Sequence, residues 1–209
     1  MAFPPISEQY PLILASSSPR RMRLLTMIGL PFRSFTSNIT EKTFGCDPVQ
    51  ISRTLAEKKA CQVYPGIRGS WILGADTIVA VNEKILGKPE NAEAAKGMLS
   101  FLSGKEHRVI TGSCVLDPSG AVAHSDAVTT LVRFKKLKKE EIEAYIDTGE
   151  PYGKAGSYAI QGIGSFMVEG ISGSYTNVVG LPVCALIRAL ISVGALEAFP
   201  FQGPLPDNL

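Results

Sequence analysis

Two long β runs in the middle of the chain limit what it can fold into. Residues 107–116 and 122–134 are apolar and β-branched, and Asp117-Pro118-Ser119-Gly120 stands between them as a turn. That pattern predicts a long antiparallel hairpin. The first hundred residues read differently, as short apolar runs alternating with capped helices. Residues 11–15 form an apolar run that reads as a buried strand, and Ser18-Pro19 follows as a cap-plus-proline helix start. Met22, Leu25 and Ile28 share one face of that helix, and Gly29 ends it. Asp47-Pro48 repeats the start, for a helix from about residue 52 with Leu55, Ala56, Ala60 and Val63 inward and a stop before Pro65.

Residues 71–81 read as a strand that turns at Asn82-Glu83 into a short one at 84–86. Asn91 caps a helix with Ala95, Met98, Leu99 and Leu102 on one face and Gly104 as its stop. After the hairpin come a helix over 138–147, a glycine-rich polar loop over 148–164, strands at 166–168 and after Tyr175, and a closing helix over 186–193. The mixture predicts an α/β fold: a mixed, curved sheet flanked by helices.

With 209 residues, 45% of them hydrophobic, the chain can bury one sizeable core. We expect one domain over 11–195, an N-terminal extension over 1–10 and a C-terminal tail over 196–209 that is proline-rich and frayed after Ala198. The formal charge of +2 argues against a long polyanion, so no nucleic acid polymer is expected as partner. A short polyanion held by a few focused cations is compatible with it. Cys46, Cys61, Cys114 and Cys184 form no Cys-x-x-Cys pair, and only His107 and His124 are available as imidazole ligands. Thiols in a reducing compartment, the cytoplasm, are expected. No stretch approaches the ~18 apolar residues of a membrane span, so no membrane partner is expected.

Four segments carry chemistry. In Ala15-Ser16-Ser17-Ser18-Pro19-Arg20-Arg21 a strand gives way to hydroxyls and a helix start bearing two arginines. Cations are misplaced at the positive end of a helix unless an anion sits there. The alternative is two solvated arginines beside ordinary cap serines. Asp76, in Gly74-Ala75-Asp76-Thr77, lies inside an apolar run and needs a partner or a metal. It suits a general base or a magnesium ligand, or else a backbone-capped strand-end aspartate. Lys59, Lys88 and Lys154 are isolated lysines, the last two flanked by glycine, which either approach phosphates or are simply solvated. Glu41, in a polar loop, could join Asp76 on a metal. The loop from Lys154 to Gly162 contains Tyr158 and Gln161; the amide of Gln161 offers a donor and an acceptor to a base edge, unless the loop is only structural. Walker, zinc, nucleophile-elbow and dinucleotide-binding motifs are all missing.

Taken in order, these segments resemble the Maf family of nucleotide pyrophosphatases. The matching pieces are Leu-Ala-Ser-Ser-Ser-Pro-Arg-Arg (14–21), Leu-Ala-Glu-Lys-Lys-Ala (55–60), Leu-Gly-Ala-Asp-Thr (73–77), Gly-Lys-Pro (87–89), Leu-Ser-Gly (102–104), Lys-Ala-Gly-Ser-Tyr-Ala-Ile-Gln-Gly (154–162) and Asn-Val-Val-Gly-Leu-Pro (177–182). The resemblance implies a two-lobed α/β fold with a central cleft, of the kind shared with ITPases. It implies metal-dependent hydrolysis of dTTP and UTP to the monophosphate and pyrophosphate, with modified pyrimidine nucleotides as further candidates. Carried onto this chain, it makes Asp76 the proton acceptor and metal ligand. Ser16, Arg20, Arg21, Lys59, Lys88 and Lys154 become substrate-binding, and Glu41 helps place a divalent cation, magnesium or manganese. Arg20, Thr77 and Gln161 fall at specificity positions, and a homodimer is implied. Two other readings stay open: a house-cleaning hydrolase of other non-canonical nucleotides, and a nucleotide-binding regulator of cell division.

Overall fold

The computed structural model describes residues 3–39, 47–82 and 84–199. The central feature is strand β3. The chain runs through β1 (Leu12–Leu14), α1 (Pro19–Met27), β2 (Phe32–Ser34) and α2 (Pro48–Val63) before reaching β3 (Ile72–Val81). It continues through β4 (Lys84–Leu86), α3 (Ala92–Leu102), β5 (Glu106–Leu116), β6 (Val122–Phe134) and α4 (Lys139–Asp147). It closes with β7 (Val168–Ser172), α5 (Tyr175–Val179) and α6 (Val183–Ser192). The seven strands form one mixed sheet in the order β2-β1-β3-β5-β6-β7, with β4 also on β3. β1 pairs in parallel with both its neighbours, whereas β3, β5, β6 and β7 are antiparallel. The hairpin expected from the two long runs is β5–β6, with Asp117 Oδ1 accepting from the backbone of Ser119 and Ala121 at its turn.

One edge of β3 is shared. Ile72 and Leu73 pair with β1, and Val79 to Val81 pair with β4. Among the described residues no strand pairs with that edge between these two stretches, which is where Asp76 and Thr77 lie. One face of β3 repeats the division along its length. Leu73 and Ala75 belong to a core shared with Leu12, Leu14, Leu24, Leu25 and the helix α6 residues Leu186 and Leu190. Val79 and Val81 belong to a second core with Leu99, Leu102, Val132, Phe134, Ile142 and Tyr145. Thr77 falls between them, so two apolar cores meet at a polar seam. This is the physical content of two lobes around a cleft.

On the opposite face α2 lies unusually close. A Cβ on Gly74 would stand 2.0 Å from the Ala56 carbonyl oxygen, and one on Gly112 would stand 2.3 Å from that of Ser52. Only glycine lets the helix backbone approach that near. The buried stripe of α2 is Ser52, Leu55, Ala56, Lys59, Ala60 and Val63, so helical spacing directs Lys59 at the sheet.

Several local expectations shift. Asp47 caps α2 through Val49 N and Gln50 N, and the helix begins at Pro48 rather than near 52. Ser18 occupies the cap position of α1 but makes no side-chain cap bond; its own N–H donates to Ser16 Oγ at 3.2 Å. The β-branched stretch after Tyr175 is the short helix α5, not a strand. Ser174 Oγ accepts from Asn177 N, and the buried Asn177 amide donates to Val109 O and Thr130 Oγ1, so tertiary bonding overrides local propensity. Residues 166–167 lie in a 3₁₀ turn (Ile163–Met167), the strand following at Val168, and the closing helix starts at Val183, directly after Pro182. Among the described residues near the two ends, Ile6 is buried, its N–H donates to Ala195 O at 2.8 Å, and Leu196 lies in the first core.

Candidate active site

The seam of β3 opens into a cleft of about 430 Å³. Ser16, Arg20, Arg21, Lys59, Asp76, Thr77, Lys88, Lys154, Tyr158 and Gln161 all line it. The sequence-chosen residues therefore converge, although they are scattered from position 16 to 161. Glu41 lies outside the described residues. Sequence reasoning passed over Thr36, Ser37 and Asn38, which line the cleft after β2; Gly180, within the matching 177–182 piece, lines it after α5. The hydroxyl run Thr36-Ser37 was the only signal for the former.

Strand alternation sends Asp76 and Thr77 to opposite faces of β3. Asp76 faces α2, where Lys59 Nζ donates to its Oδ1 at 2.5 Å; both side chains are about 90% shielded, at 9% and 10% exposure. A buried pair at this distance fixes the direction of the carboxylate. Thr77 faces the other way and bonds Thr111 Oγ1 at 3.0 Å. Arg21 reaches the same place from the first turn of α1. Its Nε donates to Gly180 O at 2.8 Å, one terminal nitrogen to Ser16 Oγ at 3.0 Å and the other to Thr77 Oγ1 at 3.2 Å. Arg21 thus ties strand end, seam and α5 loop together, and the residue is only 8% exposed.

Lys88 stands exposed in the turn after β4, whose Gly87 carbonyl accepts from Gly156 N at 3.0 Å. The two lysine-bearing loops are therefore linked. Lys154 donates to the Glu150 carbonyl oxygen. Burial, and then the neighbouring Arg20, hold its ammonium below the ordinary lysine range, with Glu150 opposing them. Burial likewise lowers Arg20, with Glu150 and Tyr145 opposing. The Tyr158 hydroxyl is engaged by His107 Nε2 at 2.8 Å, and its ring packs edge-on against Phe134 and His107. Burial pushes His107 down to about 4, so the imidazole is neutral at physiological pH.

Among the described lining residues five side chains are cationic, Arg20, Arg21, Lys59, Lys88 and Lys154, and only Asp76 is anionic. Such a cleft favours a compact polyanion. The oxygen donors present, Asp76 and the hydroxyls of Ser16, Thr36 and Ser37, suit a hard cation. No cluster of three acidic, His or Cys side chains that could hold a metal occurs among the described residues. A cation here would therefore complete its shell with phosphate oxygens and water, as magnesium commonly does.

Fold and cleft define an α/β protein built to receive a short, densely charged anion. The family model for Maf-like protein matches residues 11–193, and the chain belongs to the Maf family. A relative from Syntrophotalea carbinolica is 48% identical over 201 residues, covering 95% of this chain and 91% of its own length. One from Citrifermentans bemidjiense is 49% identical, covering 88% and 96%, and one from Geobacter metallireducens is 47% identical, covering 90% and 99%. All three are named dTTP/UTP pyrophosphatase. A crystal structure of a nucleoside-triphosphatase / dITP/XTP pyrophosphatase from Mycobacterium abscessus matches with a TM-score of 0.42 at 11% identity, covering 92% of this chain and 100% of that one. That likeness is too slight to bear on the fold or the activity. No helix among the described residues is long and apolar enough to cross a membrane.

Proposed function

We propose that this chain hydrolyses dTTP and UTP in the cytoplasm to the nucleoside monophosphate and pyrophosphate. The observation that carries the reading is the convergence of five cations around one buried, lysine-held carboxylate. The shared name of relatives near half-identical over almost the whole chain supports the substrate.

Asp76 accepts the proton of a water attacking the α-phosphorus. Lys59 holds the carboxylate in one orientation, so its lone pair meets the water without searching. Arg20, Lys88 and Lys154 neutralise the triphosphate and the departing pyrophosphate, and Arg21 keeps Ser16 and Thr77 in place around it. Asp76 and, in this reading, Glu41 would hold a divalent cation, magnesium or manganese, which would supply neutralisation of phosphate charge. Gln161 reads the base edge.

Pyrophosphate release from a nucleotide panel, with magnesium, manganese or EDTA, tests this. Metal-dependent release greatest on UTP and dTTP is expected. Release on another base would leave the chemistry and remove Gln161 as a uracil reader. A folded protein that releases nothing from any nucleotide would overturn the activity.

A further inference from the structure

A glutamine amide does not by itself distinguish uracil from cytosine. The uracil edge presents an acceptor and an N–H donor, the cytosine edge the reverse, and an amide turned by 180° satisfies either. The amide turns about its own χ3 whatever the backbone does, so discrimination requires that the loop's backbone N–H and C=O groups, which cannot turn, be held in one place beside it. The glycines around it, Gly156, Gly162 and Gly164, would otherwise leave this loop free to move.

One half-buried, hydrogen-bonded unit holds both sides of it. Glu150 Oε1 accepts from Ile163 N at 3.0 Å, and Oε2 accepts from Gly164 N at 2.8 Å and from Tyr145 OH at 2.7 Å. The same phenol oxygen accepts from Ala159 N at 3.2 Å. The loop is wrapped closely enough that a Cβ on Gly162 would lie 2.1 Å from Glu150 Oε1, and one on Gly164 2.7 Å from Tyr145 OH. Tyr145 is fixed in turn by the second core, at 2% exposure. Thus the residues before and after Gln161 hang from one carboxylate–phenol pair rooted at the end of α4. Arg20 and Lys154 lie within reach of the same carboxylate charge.

We infer that Glu150, acting with Tyr145, is a positioning residue for base selection: it clamps the 159–164 loop so that Gln161 and the backbone polar groups beside it meet the base edge in one place. This rests on the reading of Gln161 as the base reader. Glu150 and Tyr145 act on selectivity through the loop, not on the hydrolytic step.

The test compares E150Q, Y145F and Q161A with the parent on UTP and CTP, alongside amide hydrogen exchange. E150Q keeps the shape but sets an amide N–H₂ against backbone donors, and Y145F removes the bridge to Ala159 while leaving the fold's volume intact. In both, exchange at Ala159, Ile163 and Gly164 rises. The UTP-over-CTP ratio of kcat/KM falls by about tenfold in E150Q and less in Y145F, mainly through KM for UTP. The double variant E150Q/Q161A is no less selective than Q161A alone. Unchanged exchange in E150Q overturns the clamp. A relaxed ratio in Q161A with an unchanged ratio in E150Q overturns the proposal and leaves the base reader standing. An unchanged ratio in Q161A removes the base reader, and the proposal with it. A uniform fall in kcat on both nucleotides with no change in ratio also overturns it, as a general structural loss. Should E150Q fail to fold, Y145F decides between the same outcomes.

Discussion

Asp76 and His107 are both buried polar side chains on neighbouring strands, and they predict opposite kinds of failure. Asp76→Asn keeps the side chain's volume but removes the proton acceptor facing Lys59. With far-UV circular dichroism unchanged, kcat should fall about 10²–10⁴-fold, the usual worth of a general base. A kcat near the parent value would remove Asp76 from that role. His107 packs its ring against Tyr158 and Phe134, and its Nδ1 is buried with no hydrogen-bond partner among the described residues. Its folded pKa of about 4 lies below the ordinary 6.5, so the unfolded chain takes up the proton first. Stability is therefore full above about 6.5 and falls as pH drops toward about 4, by about 3 kcal/mol from this group. Denaturant midpoints between pH 7 and 4 check this: His107→Gln should flatten the slope, and an unchanged slope would show that another group governs it. Asp76 was legible in the sequence because a carboxylate inside an apolar run demands a partner. Its partner was not: Lys59 in Leu-Ala-Glu-Lys-Lys-Ala reads like any surface lysine until α2 is laid on the sheet.

At the scale of elements, what the sequence made legible is what local chemistry determines. The Asp117-Pro118-Ser119-Gly120 turn and the Asp47 and Asn91 caps sit where their side chains satisfy backbone donors. What escaped is what only contacts between distant segments determine. α5 is helical because Asn177 bonds β5 and β6, and the clasp of Glu150 on Ile163 and Gly164 joins residues thirteen or more apart. The close seat of α2 is of the same kind, since Gly74 and Gly112 give no hint of their neighbour until the helix arrives. It also yields a prediction. Gly74→Ala drives a methyl toward the Ala56 carbonyl, 2.0 Å away, and nothing there is a flexible side chain that can yield. Helix and sheet must separate, at a cost of about 1–3 kcal/mol or more. Lys59, one turn beyond Ala56, shifts with the helix, so kcat should fall together with the melting temperature. Gly66→Ala, where no heavy atom stands within 4 Å of the new Cβ, is the control and should change neither. A destabilised Gly74→Ala protein that retained full kcat would show that Lys59 need not be held against Asp76.

In the whole molecule, one face of the sheet carries two apolar cores joined along a polar seam, smaller cores lie under α2 on the other face, and the cleft lies on that seam. Leu73 and Ala75 belong to one core and Val79 and Val81 to the other, and Ile160, beside Gln161, packs against both. The cations are divided between the lobes: Arg20 and Arg21 rise from α1 beside the first core, whereas Lys88 and Lys154 sit on loops beside the second. Like charges from the two lobes face each other across the cleft, and a triphosphate between them would turn that repulsion into attraction. A non-hydrolysable UTP analogue should therefore raise the melting temperature, by the equivalent of about 2.7 kcal/mol at one hundred times its Kd. Because the attraction is between charges, the shift should shrink as salt rises and the screening length falls from about 10 Å at 0.1 M toward about 3 Å at 1 M. The measurement is differential scanning fluorimetry with and without analogue across that salt range. Uridine, which carries the base without the phosphates, should give little shift at the same concentration. An equal shift from uridine, or a triphosphate shift indifferent to salt, would mean that the base and not the phosphate chain holds the lobes, and the cleft's cations would need another explanation.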